Sequence, residues 1–119
     1  MDTEALRSYC LSLPGATESI KWEEHLAFCV AAKIFCMTGF EPGSPVVFKI
    51  NPEQFETLCE RDGIGQAPHF AKRHWVQVRE RNVLPATEWR ALIRTSYDLV
   101  VAGLPKKVQA ELKKTSIDG

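Results

Sequence analysis

The 119 residues predict an α+β fold, a two-layer sandwich in which an antiparallel sheet is covered on one face by helices. Three observations carry this. Leu6, Tyr9, Cys10 and Leu13 form a helical stripe at the start of the chain. Between Thr17 and Ile50 come short apolar runs rich in β-branched and aromatic residues, joined by tight connections. From Trp89 to Leu104 a second stripe keeps helical period through Leu92, Ile93, Ser96, Tyr97, Val100 and Val101. Hairpin-linked strands with helices before and after give a sheet with its helices on one side.

Asp2 caps the first helix, and Pro14-Gly15 ends it. Thr17–Trp22 is the first strand. Leu26, Phe28 and Val30 then alternate with Ala27, Cys29 and Ala31, and Ile34–Thr38 is the next apolar run. The short gap between them predicts a hairpin, although Ala31-Ala32-Lys33 lacks the Gly or Asn usual in such a turn. Glu41–Pro45 is a loop and Val46–Ile50 a strand. Asn51 caps a helix with Pro52 in its first position, and Gln54 completes a capping box. Phe55, Leu58 and Cys59 face inward, and Gly63 ends the helix. His74–Arg79 alternates as a last strand, Trp75 and Gln77 on one face, His74, Val76 and Val78 on the other. Gly103 stops the long helix, and Pro105 begins a short final one carrying Val108 and Leu112. The order is α, three or four β, α, one or two β, α-α. Trp75 and Tyr97 are expected as core anchors.

One domain over residues 1–119 accommodates this. The chain is 45% hydrophobic and 25% charged, as expected of a globular protein. No apolar run approaches the roughly 20 residues of a membrane helix. Met1-Asp2-Thr3-Glu4 lacks the basic start of a signal peptide, so a cytoplasmic monomer without membrane contact is expected. Cys10, Cys29, Cys36 and Cys59 are scattered among apolar neighbours and are expected as reduced, buried, structural thiols.

Chemical motifs are scarce. His25, Cys29, Cys36, His69 and His74 make no metal-ligand spacing, so no metal is expected. There is no Ser or Cys in a nucleophile context and no Gly-rich phosphate loop, so neither an enzyme nor a cofactor is expected. Glu23-Glu24-His25 reads as a solvated turn. The neutral total hides a split: residues 1–63 carry five Lys/Arg against ten Asp/Glu, and residues 64–119 carry ten against five. Such asymmetry points to an anionic partner. Ala67–Val78 concentrates Lys72, Arg73, His74 and Trp75, a mixture of cations and aromatics suited to phosphates and bases.

Several stretches resemble the MmcQ/YjbR family of small bacterial proteins. They are Tyr9-Cys10-Leu11-Ser12-Leu13-Pro14-Gly15-Ala16-Thr17-Glu18, Lys33-Ile34-Phe35, Phe48-Lys49 with Asn51-Pro52-Glu53, His74-Trp75-Val76-Gln77-Val78, and the segment from Ser96 to Lys107. Ala31-Ala32 departs from the glycine common at that turn in the family. The resemblance implies an α-β(3)-α-β(2)-α order, similar to double-wing DNA-binding domains and to secretion chaperones. Three functional expectations follow. The first is a non-enzymatic DNA-binding protein contacting phosphates through Lys72, Arg73, His74, Gln77, Arg79, Arg81, Lys106 and Lys107. The second is a protein-interaction or chaperone-like adaptor using an open sheet face with Trp22, Phe28 and Phe35. The third is a small-molecule pocket between the sheet and the long helix.

Overall fold

A computed structural model describes residues 1–118, with side chains described for residues 1–114. The elements run α1 (Thr3–Ser12), β1 (Ala16–Lys21), β2 (His25–Val30), β3 (Lys33–Gly39), β4 (Val46–Lys49), α2 (Pro52–Cys59), β5 (Ile64–Gln66), β6 (Trp75–Val78), a helical turn (Arg81–Val83), α3 (Ala86–Ala102) and α4 (Lys106–Asp118). All strand pairs are antiparallel, in the order β1-β2-β3-β4-β6-β5. The two-layer α+β sandwich is therefore present. Four strands precede α2, one more than the family scheme, because Val46–Lys49 is a full strand between β3 and β6.

The caps follow the local sequence. The Asp2 carboxylate accepts from the Ala5 N–H at 2.8 Å. Asn51 Oδ1 accepts from the Glu53 N–H at 3.1 Å, so this cap closes one residue earlier than a capping box with Gln54 would. Pro14-Gly15 turns the chain into β1 with Gly15 at φ +71, and a side chain there would also meet Leu112.

Both tight hairpins use left-handed non-glycine residues. Ala31 and Ala32 have φ of +49 and +66, and Trp22 and Glu23 have φ of +51 and +60. Ala31-Ala32 is the two-residue type I′ turn that matches the twist of a two-strand ribbon, while Trp22-Glu23-Glu24 is a three-residue connection between paired Lys21 and His25. The sheet geometry thus overrides the residue preference at both positions.

The core lies on the helix side of the sheet. Phe28, Val30, Phe35, Phe48, Val76 and Val78 meet Leu6, Cys10, Trp89 and Ile93, all essentially fully buried. A bulge shapes this layer: Phe28 pairs with Cys36 and Cys29 with Ile34, leaving Phe35 as the extra residue. Phe35 and Cys36 consequently both enter the core. The bulge carbonyl of Phe35 accepts from buried Ser96 Oγ at 2.6 Å, and Ser96 Oγ accepts from the Lys49 N–H at 2.8 Å. The serine on the apolar stripe of α3 is thus the polar pin between helix and sheet. Tyr97 is a core anchor as expected, with its ring edge-on to Phe35 and its hydroxyl donating to the Pro14 carbonyl at 2.5 Å.

The other face of the sheet is covered differently. Ala27, Cys29, Met37 and Val47 form a second, smaller buried cluster with Ala67, and Ile34, Phe70 and Trp75 pack against it. Trp75 belongs here, half-buried, because β6 alternates and gives Val76 and Val78 to the main core. The fully buried tryptophan is Trp89, whose indole N–H donates to the Arg81 carbonyl at 2.8 Å.

Candidate functional site

The expected DNA-contact residues do not form one patch. Arg81 is committed to the fold. Its guanidinium donates to the Ser44 carbonyl (2.9 Å), the Met1 carbonyl (3.3 Å) and Thr38 Oγ1 (2.9 Å), tying the N-terminus to the β3–β4 loop. Burial lowers the Arg81 pKa from its ordinary value. Arg73 turns toward α2, pairing with Glu56 at 3.0 Å and lying 5.8 Å from the Phe55 ring centre. Its own N–H is held by Gln66 Oε1 at 2.9 Å, with φ at +69. Gln77 lies on the back face of the sheet, opposite Val47 and Gly65. Arg79 is exposed at the far end of β6, where its N–H donates to the Gly63 carbonyl at 2.8 Å. Lys72, His74, Lys106 and Lys107 are exposed.

Ion pairs cross the sequence split of charge. Arginines in the basic half find carboxylates from both halves: Arg73 pairs with Glu56 and Arg94 with Asp98, while Arg61 reaches across to Glu88. The cations without ion pairs among the described residues are mostly lysines. Two of these, Lys33 and Lys49, come from the acidic half. They line a cleft of about 470 Å³ where the end of α3 meets the sheet, with Phe70 and Trp75 in its wall and Leu99 and Gly103 opposite. Among the described residues no carboxylate lines it. Lys72 lies in the loop between Phe70 and Trp75, and Lys106 lies two residues beyond Leu104, another lining residue. Phe70 and Trp75 sit with ring centres 4.7 Å apart.

A larger cavity, about 710 Å³, opens on the back face. Its floor is Met37, Val47 and Gln77. Trp22 and His25 wall it on the β1–β2 side, and His69 and Phe70 on the β5–β6 side. The apolar platform expected from Trp22, Phe28 and Phe35 does not exist, because both phenylalanines are in the core and only Trp22, 69% exposed, is at the surface. Trp22 packs edge-on to His25 with ring centres 5.8 Å apart. Residue reasoning missed the groove because its walls lie more than forty positions apart in the chain. The one local signal was a tryptophan in a tight turn that favours Asn or Gly.

The cysteines are all free; Cys10, Cys29 and Cys36 are buried, and Cys59 is only half-buried. The Cys10 thiol is pushed far up by its hydrogen bond with Cys36 and by burial, and burial raises Cys59 too. Among the described residues no three His, Cys, Asp or Glu side chains converge as a metal-binding group. No described helix is long and apolar enough to cross a membrane.

The fold, the cleft at the end of α3 and the back-face groove thus define a small α+β protein with an open, groove-bearing sheet. The YjbR family model matches residues 11–99, and the chain belongs to the YjbR family. It is 29% identical over 111 residues to the uncharacterized protein YjbR of Escherichia coli K12, covering 90% of this chain and 93% of that one. A crystal structure of Deinococcus radiodurans protein DR2400, described by a DUF419 domain, superposes with a TM-score of 0.82 at 31% identity, over 91% of this chain and 85% of the other. A crystal structure from Pseudomonas syringae has the same fold, with a TM-score of 0.70 at 23% identity, over 83% of this chain and 98% of the other.

Proposed function

We propose that the chain is a non-enzymatic DNA-binding module whose contact surface is the lysine-rimmed cleft at Trp75. The observation that carries this is the placement of Lys33 and Lys49 in a carboxylate-free cleft walled by Phe70 and Trp75. Unpaired lysines are free to neutralise phosphates, and aromatic faces offer stacking surfaces to bases. Lys72, Lys106 and Lys107 extend the rim. Arg81 and Arg73 are left out, since their guanidinium groups are already held within the fold. The raised Cys10 and Cys59 thiols make poor nucleophiles, which favours a binding role over thiol chemistry at these two positions.

The neutral total charge limits affinity, because nonspecific binding comes mainly from counterion release. Weak, strongly salt-dependent binding is expected. The test is a titration of labelled duplex and single-stranded DNA at several salt concentrations. Lys33→Ala/Lys49→Ala should reduce the slope of log K against log salt by about 1.8 for duplex, two phosphate contacts at ~0.9 each. An Arg79→Ala control should leave the slope unchanged. No binding by the wild-type protein at low salt, or an unchanged slope in the double variant, would overturn the proposal.

A further inference from the structure

The back-face groove carries a second site. Its lining contains no Asp, Glu, Lys or Arg, in contrast to the lysine-rimmed cleft on the other side of Phe70. Its volume falls in the range of small-molecule sites, roughly 300–1,000 Å³. In the strand order, β3 and β4 form the floor between the wall that starts β2 and the wall that precedes β6. An aromatic ring stands in each wall: Trp22 on one side, Phe70 on the other.

The polar groups along this groove are few and open. His25 Nδ1 is buried and has no hydrogen-bond partner. The Gln77 side chain, which offers both donors and an acceptor, makes no hydrogen bond among the described residues and sits in the floor. A buried polar atom without a partner is uncommon and calls for a physical account. The rims are also strained. Trp22 and His69 hold φ of +51 and +69, a region that bulky residues rarely adopt. At Trp22 the turn holds the indole out beside the groove, 69% exposed, instead of letting it pack down. Strain of this kind concentrates at ligand clamps.

We infer that this groove binds a planar, uncharged heteroaromatic molecule, stacked against Trp22 and hydrogen-bonded at its edge by Gln77. The absence of Asp, Glu, Lys and Arg from the lining disfavours an anionic or cationic ligand, whose desolvation they would otherwise offset. An apolar hydrocarbon would leave Gln77 unpaired and is disfavoured for the opposite reason. A flat ring system with donors and acceptors on its rim meets both requirements.

Adenine is the probe, being flat, uncharged at neutral pH and edged with donors and acceptors; benzoate is the flat anionic control. NMR of the full chain reads the Met37 methyl, the Trp22 indole N–H and the His25 and His69 rings. Adenine at millimolar concentration should shift all four, and benzoate should not. Gln77→Ala should weaken adenine binding about tenfold, the effect of losing one buried hydrogen bond. Trp22→Asn, a substitution that suits the left-handed turn, should weaken it as well while the thermal melt confirms folding. The proposal is overturned if adenine leaves Met37 unmoved, if benzoate binds as well as adenine, or if both folded variants keep wild-type affinity. The result is independent of DNA binding, since Lys33→Ala/Lys49→Ala should leave the adenine shifts intact.

Discussion

The two faces of this sheet solve the burial problem differently. On the helix side every large side chain is matched: Phe28, Phe35 and Phe48 pack against Trp89, Ile93 and Tyr97, and the two buried polar residues of the core are paired, although Thr3 Oγ1 at the start of α1 is buried without a partner. Ser96 bridges the Phe35 carbonyl and the Lys49 amide, and Thr38 bridges the Pro45 carbonyl and Arg81. On the back face the buried side chains are small or flexible, and a loop rather than a helix covers part of them. Ser19 and His25, both on that face by the β1–β2 register, each keep a buried polar atom unpaired. One face is closed by large, interlocking side chains, and the other is closed by small ones and leaves a groove.

Replacing equivalent tryptophans on the two faces gives the largest expected contrast. Trp89→Ala removes a fully buried indole and its hydrogen bond to Arg81, and should cost about 3–5 kcal/mol by chemical denaturation. Trp75→Ala removes a half-buried ring stacked on Phe70 and should cost about half as much, while weakening DNA binding. Equal losses from the two variants would mean that the back face is as well packed as the core.

Ser96→Ala comes next. It leaves the Phe35 carbonyl and the Lys49 amide without their buried partner, a cost of about 2–3 kcal/mol. Hydrogen exchange of the Lys49 amide should accelerate in the variant beyond what the global loss explains. Exchange that merely tracks global stability would show that the sheet holds this register without the pin.

Tyr97→Phe is a smaller change on the same face. Loss of the bond to Pro14 should cost about 1 kcal/mol. Burial raises the Tyr97 pKa above its ordinary 10.0, so the folded protein keeps this proton where the unfolded chain releases it. The contribution is complete below pH 10 and is lost as pH rises through the raised folded value. Wild type should therefore lose stability at alkaline pH more steeply than Tyr97→Phe, measured by denaturant midpoints across that range.

Most of the helix-side architecture was legible in the sequence, because periodicity reports local geometry. The stripes of α1 and α3, the alternation of β6 and the caps at Asp2 and Asn51 all appear where the residues place them. Ile64–Gln66 was not legible as a strand, since three residues after Gly63 are too few to show a period. The expected site was the least legible part. Arg81 and Lys72 look alike as exposed cations in a sequence, yet one is consumed by three bonds within the fold and the other is free of ion pairs among the described residues. Lys33, Lys49 and Trp75 meet only because β4 pairs with β6 and α3 ends beside them.

The smallest effect concerns the two left-handed hairpin turns, one of which borders the groove and one of which does not. Ala31 and Ala32 occupy a type I′ turn whose geometry favours Asn-Gly, and both are exposed. Ala32→Gly removes the steric cost of Cβ at positive φ and Ala31→Asn supplies a side chain that tolerates the left-handed region, partly offset by the greater freedom glycine gives the unfolded chain. The net should be a gain of about 0.5–1 kcal/mol, a rise of a few degrees in thermal midpoint. Trp22→Asn/Glu23→Gly relieves the same backbone strain but loses the edge-on contact with His25, so its gain should be smaller or absent. If the Trp22 pair instead stabilised the fold as much as the Ala31 pair, the indole would contribute nothing to folding, and its place beside the groove would rest on ligand binding alone. If it destabilised strongly, Trp22 would be a packing residue and the strain at its turn a consequence of that packing.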